Sequence, residues 1–117
     1  MSDANIPALL EELWEVDFET WKDIMFLLSN SMMFHEPREI PLEQHIYHDI
    51  IQGCIQRVIA AHSHEYMAEW FWEVAYEDHG RYEAKIYRRE GLVTKEIADT
   101  PAAAILAAYI EAKRARQ

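Results

Sequence analysis

Apolar and polar residues alternate along residues 67 to 89 with the period of two that is typical of a β-strand. The even positions are apolar up to residue 76, and the same alternation resumes at residue 82. Both apolar sets lie on one face of a hairpin only if the numbers of paired residues sum to an even value, which selects the three-residue loop Asp78-His79-Gly80. We therefore predict a β-hairpin in which Gly80 supplies the left-handed backbone conformation.

The predicted register pairs opposite charges across the hairpin. It places acidic residues of the first strand opposite basic residues of the second in the pairs Glu77–Arg81, Glu73–Lys85 and Glu69–Arg89, and it places Phe71 opposite Tyr87. Each cross-strand ion pair contributes about 0.2–1 kcal/mol. Because the three pairs arise together in this register alone, they support it.

Two helices are predicted before the first proline-rich connector. Residues 6 to 14 form a short helix whose apolar set is Leu9, Leu10, Leu13 and Trp14. A second helix begins at Asp17, whose carboxylate can cap the first backbone amides, and ends before Pro37. Its apolar stripe, which we expect to face the core, holds Phe18, Trp21, Ile24, Met25, Leu28 and Met32.

The remainder of the chain predicts a helix, the hairpin and a last helix. Residues 41 to 61 carry two adjacent apolar rows, so this third helix should be mostly buried, with Cys54 as a small buried hydrophobe. Residues 92 to 97 are predicted to add a third antiparallel strand, and Thr100 should cap the last helix with Pro101 in its first position. We expect a buried stripe along that helix, made of Ala102, Ile105, Leu106, Tyr109 and Ile110.

Together these elements predict an α+β fold in one domain of residues 1–117. A small antiparallel sheet packs against helices in a helix–hairpin–helix core of residues 41–117. An acidic helical unit, residues 1–36, packs alongside it.

Negative charge is concentrated in the first part of the chain. The net charge is −10, and residues 1–49 hold eleven acidic residues against Lys22 and Arg38. Residues 50–117 hold ten acidic and nine basic residues and are nearly balanced. This sign disfavours direct binding to nucleic acid and makes a protein with a basic surface the natural partner.

Two candidate partner-binding surfaces follow from these patterns. The first is an acidic surface formed by Glu11, Glu12, Glu15, Asp17, Glu19, Asp23, Glu36, Glu39 and Glu43. The second is the hairpin face that bears Phe71 and Tyr87, an aromatic pair that suits a homodimer or a host protein.

Enzymatic chemistry has little support in the sequence. There is no glycine-flanked serine elbow and no glycine-rich phosphate loop, so we expect a non-catalytic protein without cofactor or metal. The alternative is a metal-dependent enzyme that uses His45, His48 and Asp49, because the two histidines are three residues apart on one helical face. A structural homodimeric protein is a further alternative.

The order of a long helix, a tryptophan-rich strand, a second strand and an alanine-rich helix opened by Ala98-Asp99-Thr100-Pro101-Ala102 resembles the phage ABA sandwich domain. The resemblance covers residues 45 to 113 and leaves out the acidic N-terminal part. It implies a phage-borne protein with no catalytic residues to transfer. With the acidic charge, it suggests an inhibitor of the anti-CRISPR type that occupies a nucleic-acid-binding surface of a host defence complex.

Residues 1–5 lack the basic and apolar regions of a secretion signal, and no apolar run reaches membrane-spanning length, so we expect the cytoplasm of the host cell and no membrane association.

Overall fold

The computed structural model describes residues 6–32, 45–65, 70–88 and 91–116. The helices are α1 (Ile6–Val16), α2 (Phe18–Met32), α3 (His45–Glu65) and α4 (Pro101–Arg116), and the strands are β1 (Phe71–Glu77), β2 (Arg81–Arg88) and β3 (Gly91–Ala98). The strands form one antiparallel sheet in the order β1-β2-β3. This architecture confirms the predicted α+β class.

The hairpin has the predicted register. Glu77 pairs with Arg81, Glu73 with Lys85 and Phe71 with Tyr87, while the predicted Glu69–Arg89 pair lies outside the described residues. The three-residue loop is a single 3₁₀ turn from Asp78 to Gly80. Gly80 has the predicted left-handed backbone, with φ of 74°, and His79 shares it with φ of 66°.

The inner face of the sheet packs on α4, with Ala84 and Ile86 of the central strand fully buried. The apolar face of β1 is only partly covered, because β1 is an edge strand that makes little contact with the helices. Trp72 is 42% exposed and Tyr76 is 64% exposed. The apolar face of β1 is therefore partly exposed both at Tyr76 near the hairpin tip and at Trp72 near its open end.

α4 is the central element of the molecule. It contacts α1, α3 and all three strands, and every residue from Ala102 to Ile110 is buried. The predicted buried stripe is therefore too narrow, since the alanines between its large residues are enclosed as well. Thr100 begins the helix as predicted, because its Oγ1 accepts a hydrogen bond from the Ala103 amide at 3.2 Å.

α1 and α3 pack against α4. α3 buries one of its two apolar rows, Tyr47, Ile51, Ile55 and Ile59, but Ile50 and Val58 of the other row are half-buried, so the expectation of a mostly buried helix is confirmed only in part. Cys54 lies in the core as predicted, where burial raises the pKa of its thiol. α1 packs on α4 through the stripe Ile6, Leu9, Leu10 and Leu13. None of the described helices has the length and apolar character that a bilayer crossing requires.

Two aromatic residues expected in the apolar stripes of the N-terminal helices lie outside the core. Trp14 is 51% exposed and Phe18 is 46% exposed. Trp14 follows Leu13 directly, so it points about 100° further round the helix than the residue that reaches the core. The prediction for Trp14 and Phe18 is therefore wrong, whereas Ile24, Met25 and Leu28 are buried as expected.

Enlarging an enclosed alanine of α4 tests the burial of that helix on all sides. Ala104 is fully buried and Ala115 is exposed on the same helix. We expect Ala104→Leu to lower the free energy of unfolding by about 1–3 kcal/mol, because the core cannot accept the added volume. Ala115→Leu is the control and should change it by less than about 0.5 kcal/mol. Urea denaturation measures both, and equal stabilities would contradict the enclosure of α4.

Two glycine-to-alanine substitutions should change stability in opposite directions. A Cβ at Gly80 or at Gly53 would have no atom within 4 Å, so only the backbone conformation distinguishes the two positions. Gly80→Ala should destabilise by about 1–2 kcal/mol because φ is positive there. Gly53→Ala lies inside α3 and should stabilise by about 0.5–1 kcal/mol. Thermal unfolding followed by circular dichroism measures the stability of both variants. A Gly80→Ala variant as stable as the original chain would overturn the left-handed conformation assigned to the loop.

Candidate protein-binding surface on the N-terminal helices

α1 and α2 meet at a single non-helical residue, Asp17. The Asp17 amide donates to the Leu13 carbonyl at 2.8 Å, and the Asp17 carbonyl accepts from the Trp21 amide at 3.1 Å. Asp17 therefore closes the last turn of one helix and opens the next. Its carboxylate caps α2 as predicted, accepting from the Thr20 amide at 3.3 Å.

The Asp17 carboxylate also connects this joint to the core. It accepts hydrogen bonds from the hydroxyls of Thr20, at 2.6 Å, and of the buried Tyr109, and the Lys113 ammonium lies 4.0 Å away. Burial alone would raise the pKa of Asp17, but these hydrogen bonds and the Lys113 charge together hold it below its ordinary value. Among the predicted partner-binding residues, Asp17 is thus engaged inside the molecule.

Glu12 is also engaged within the molecule. Its carboxylate lies 3.2 Å from the Arg114 guanidinium, which bonds Glu111 at 2.7 Å. Glu96 on β3 lies near the same group, and its pKa is raised by burial and by the charges of Glu111 and Glu12. The carboxylates of Glu12, Glu96 and Glu111 therefore lie close to one another beside the C-terminal end of α4.

Glu11 and Glu15 lie on the exposed side of α1, one helical turn apart. Together with Trp14 and Trp21 they line a shallow hollow of about 340 Å³. The structure thus brings these two residues of the predicted acidic surface together at one place.

The hollow adjoins a cluster of aromatic rings. The Phe18 ring stacks on Trp21 with centroids 5.6 Å apart, and it meets the edge of Trp14 at 6.3 Å. The Lys22 ammonium lies 6.0 Å from the Phe18 centroid and 3.0 Å from the Glu19 carboxylate. We call the set Glu11, Trp14, Glu15, Phe18 and Trp21 the elbow patch.

Of the remaining predicted acidic residues, the structure describes Glu19 and Asp23. Glu19 is exposed beside Lys22, and Asp23 is exposed near α3, where its charge and that of Arg57 act on Cys54. Glu36, Glu39 and Glu43 lie outside the described residues.

The second predicted surface, on the outer face of the sheet, is exposed. Phe71 is 52% exposed, Tyr87 is half-buried, and Leu92, which sequence reasoning did not include, extends their row onto β3 at 54% exposure. Next to the row, Lys85 lies 3.1 Å from Glu83 and 4.0 Å from Glu73. Partner binding by Phe71 and Tyr87 stays a prediction.

The proposed metal ligands are only partly described. His48 is half-buried and Asp49 is exposed on α3, while the side chain of His45 lies outside the described part. Within the described ranges, no group of three or more His, Cys, Asp and Glu side chains is arranged to hold a metal ion. The metal-dependent alternative therefore also stays a prediction.

Comparison with protein-family models, curated protein sequences and solved structures finds no match to this chain. The resemblance to the phage ABA sandwich domain consequently remains a prediction from the order of elements.

Sequence reasoning missed the aromatic part of the elbow patch. Trp14 and Phe18 were assigned to apolar stripes, although both are at the margin of the stripe that reaches the core. The available signal was the position of Trp14 between Glu11 and Glu15, three residues from one and adjacent to the other. Tryptophan is among the residue types that are enriched at the energetic hot spots of protein interfaces.

Removing the Asp17 carboxylate should loosen the joint between the helices. We expect Asp17→Ala to cost about 2–3 kcal/mol of unfolding free energy, since it removes a helix cap and an acceptor of internal hydrogen bonds. Tyr109→Phe removes one of those bonds and should cost about 1 kcal/mol.

The effect of Asp17→Ala should also depend on pH. The pKa of the folded state is lowered, so the stabilisation is fully present above the ordinary value of 3.8 and is lost as pH falls through the folded value. Urea unfolding at neutral and acidic pH should therefore show the two proteins converging below that value. A stability difference that persists unchanged in acid would show that the carboxylate charge is not responsible.

Proposed function

We propose that this chain is a non-catalytic, acidic protein-binding module. It captures a partner protein by binding to a basic surface of that partner. In the fuller form of the proposal, it is a phage-encoded inhibitor that occupies the nucleic-acid-binding surface of a host defence complex. The observation that supports the proposal most directly is the outward display of carboxylates on α1 and α2.

The charge of these two helices is strongly unbalanced. Residues 6–32 contain six acidic residues and one basic residue, Lys22, which gives a formal charge of −5. Among the described side chains, Lys113 and Arg114 of α4 pair with Asp17 and Glu12 of these helices. Glu11, Glu15, Glu19 and Asp23 remain exposed at the surface.

A surface of this kind attracts clustered lysines and arginines, which are the groups that proteins use to bind phosphates. A carboxylate surface that binds such a cluster competes with nucleic acid, because both bind the same lysine and arginine side chains. Attraction between exposed charges is screened over about 10 Å at 0.1 M salt, so capture should weaken as salt is raised.

Charge reversal on α1 tests the proposal. The immobilised chain and its Glu11→Lys/Glu15→Lys variant are exposed to nuclease-treated bacterial lysate, and the retained proteins are identified by mass spectrometry. We expect the original chain to retain a nucleic-acid-binding protein that added single-stranded DNA or raised salt releases. The variant should lose most of that capture, because its two substitutions reverse the charge that attracts the partner.

A control with the same change in net charge separates a local surface from overall charge. Asp49→Lys/Asp78→Lys reverses two acidic residues that are exposed on α3 and at the hairpin tip. This control should retain capture. Equal capture by the Glu11→Lys/Glu15→Lys variant, or capture that neither salt nor DNA affects, would refute the proposal.

A further inference from the structure

We infer that the elbow patch binds the guanidinium group of an arginine side chain presented by the basic partner. This inference rests on the proposed function and adds to it the chemistry of the contact. It assigns a role to the exposed side chain of Trp14, which charge alone leaves without one.

The shape and the lining of the hollow suit a planar cation. Two tryptophans, Trp14 and Trp21, and two glutamates, Glu11 and Glu15, line a space of about 340 Å³ that is open to solvent. Trp14 is half-exposed although it is large and apolar, so its ring is available to a ligand. Aromatic faces attract cations through their quadrupole, and flanking carboxylates add hydrogen-bond acceptors.

The molecule already uses this chemistry beside the hollow. The Lys22 ammonium sits 6.0 Å from the Phe18 ring centroid and bonds the Glu19 carboxylate. A cation held between an aromatic ring and a carboxylate is thus accommodated on the same surface. The hollow is lined by two aromatic and two acidic residues, and no described basic residue is among its lining.

Charge complementarity favours a basic partner over a second copy of the chain. Each chain carries a net charge of −10, and residues 6–32 carry −5 of it, so two elbow patches would repel each other. Arginine is favoured over lysine because guanidinium is planar, stacks on aromatic rings and is more weakly hydrated than ammonium.

The test uses a fluorescently labelled Gly/Ser peptide that carries several arginines, and its counterpart with lysine at each of those positions. Fluorescence anisotropy measures both dissociation constants for the full chain at low salt. We expect the arginine peptide to bind about fivefold to tenfold more tightly than the lysine peptide, from the added stacking on the indoles. Trp14→Ala should bring this ratio close to one.

Two further variants test whether the arginine preference depends specifically on the aromatic ring of Trp14. Phe26 is 65% exposed on α2 and does not line the hollow, so Phe26→Ala should leave the arginine preference unchanged. If Trp14→Ala unfolds, Trp14→Leu keeps an apolar side chain while removing the aromatic face, and it should also lose the preference.

The outcomes separate this inference from the proposed function. If the two peptides bind equally tightly, and the Glu11→Lys/Glu15→Lys variant binds both more weakly, the arginine site is overturned while the acidic protein-binding module stands. Absence of charge-dependent binding of either peptide would overturn both. Self-association of the chain that Trp14→Ala abolishes would assign the patch to a second copy and overturn the inference.

Discussion

α4 is enclosed by α1, α3 and all three strands, and this enclosure constrains the other elements. A helix surrounded on every side must present small side chains where neighbours approach closely and large ones where gaps must be filled. Six of its alanines are buried between Ala102 and Ala112, and Ile105, Leu106, Tyr109 and Ile110 fill the spaces between them. The sheet and the helices are therefore positioned by the shape of one helix.

Asp17 links the acidic N-terminal helices to that centre. A carboxylate withdrawn from water is costly unless it is hydrogen-bonded, and Thr20, Tyr109 and Lys113 supply the donors and the charge that Asp17 needs. At the same end of α4, Arg114 pairs with Glu12, which stays partly exposed to solvent. The basic end of α4 thus pairs with Glu12 and Asp17, while Glu11 and Glu15 lie exposed at the surface.

This division of charge gives the elbow patch its proposed character. Glu11 and Glu15 lie exposed at the surface, and Trp14, which follows the buried Leu13, lines the same hollow with its side chain half-exposed. Exposing half of an indole is unfavourable in an isolated chain because apolar surface remains in water. A partner that covers the ring would recover that free energy, and the carboxylates beside it favour a partner that brings a cation.

Local rules were sufficient for much of this fold. Alternation and charge pairing determined the hairpin register from Phe71 to Tyr87, and Thr100 and Asp17 marked their helix starts because capping depends on residues a few positions apart. Only the tertiary structure decided which apolar residues are covered: the alanines of α4 are enclosed, whereas Trp14, Phe18 and Trp72 are left at the surface. It also decided which acidic residues of the candidate site share a place, grouping Glu11 with Glu15 and withdrawing Glu12 and Asp17 towards α4. Periodicity specifies the direction of a side chain around its own helix, but burial and ion pairing depend on the elements that arrive from distant parts of the chain.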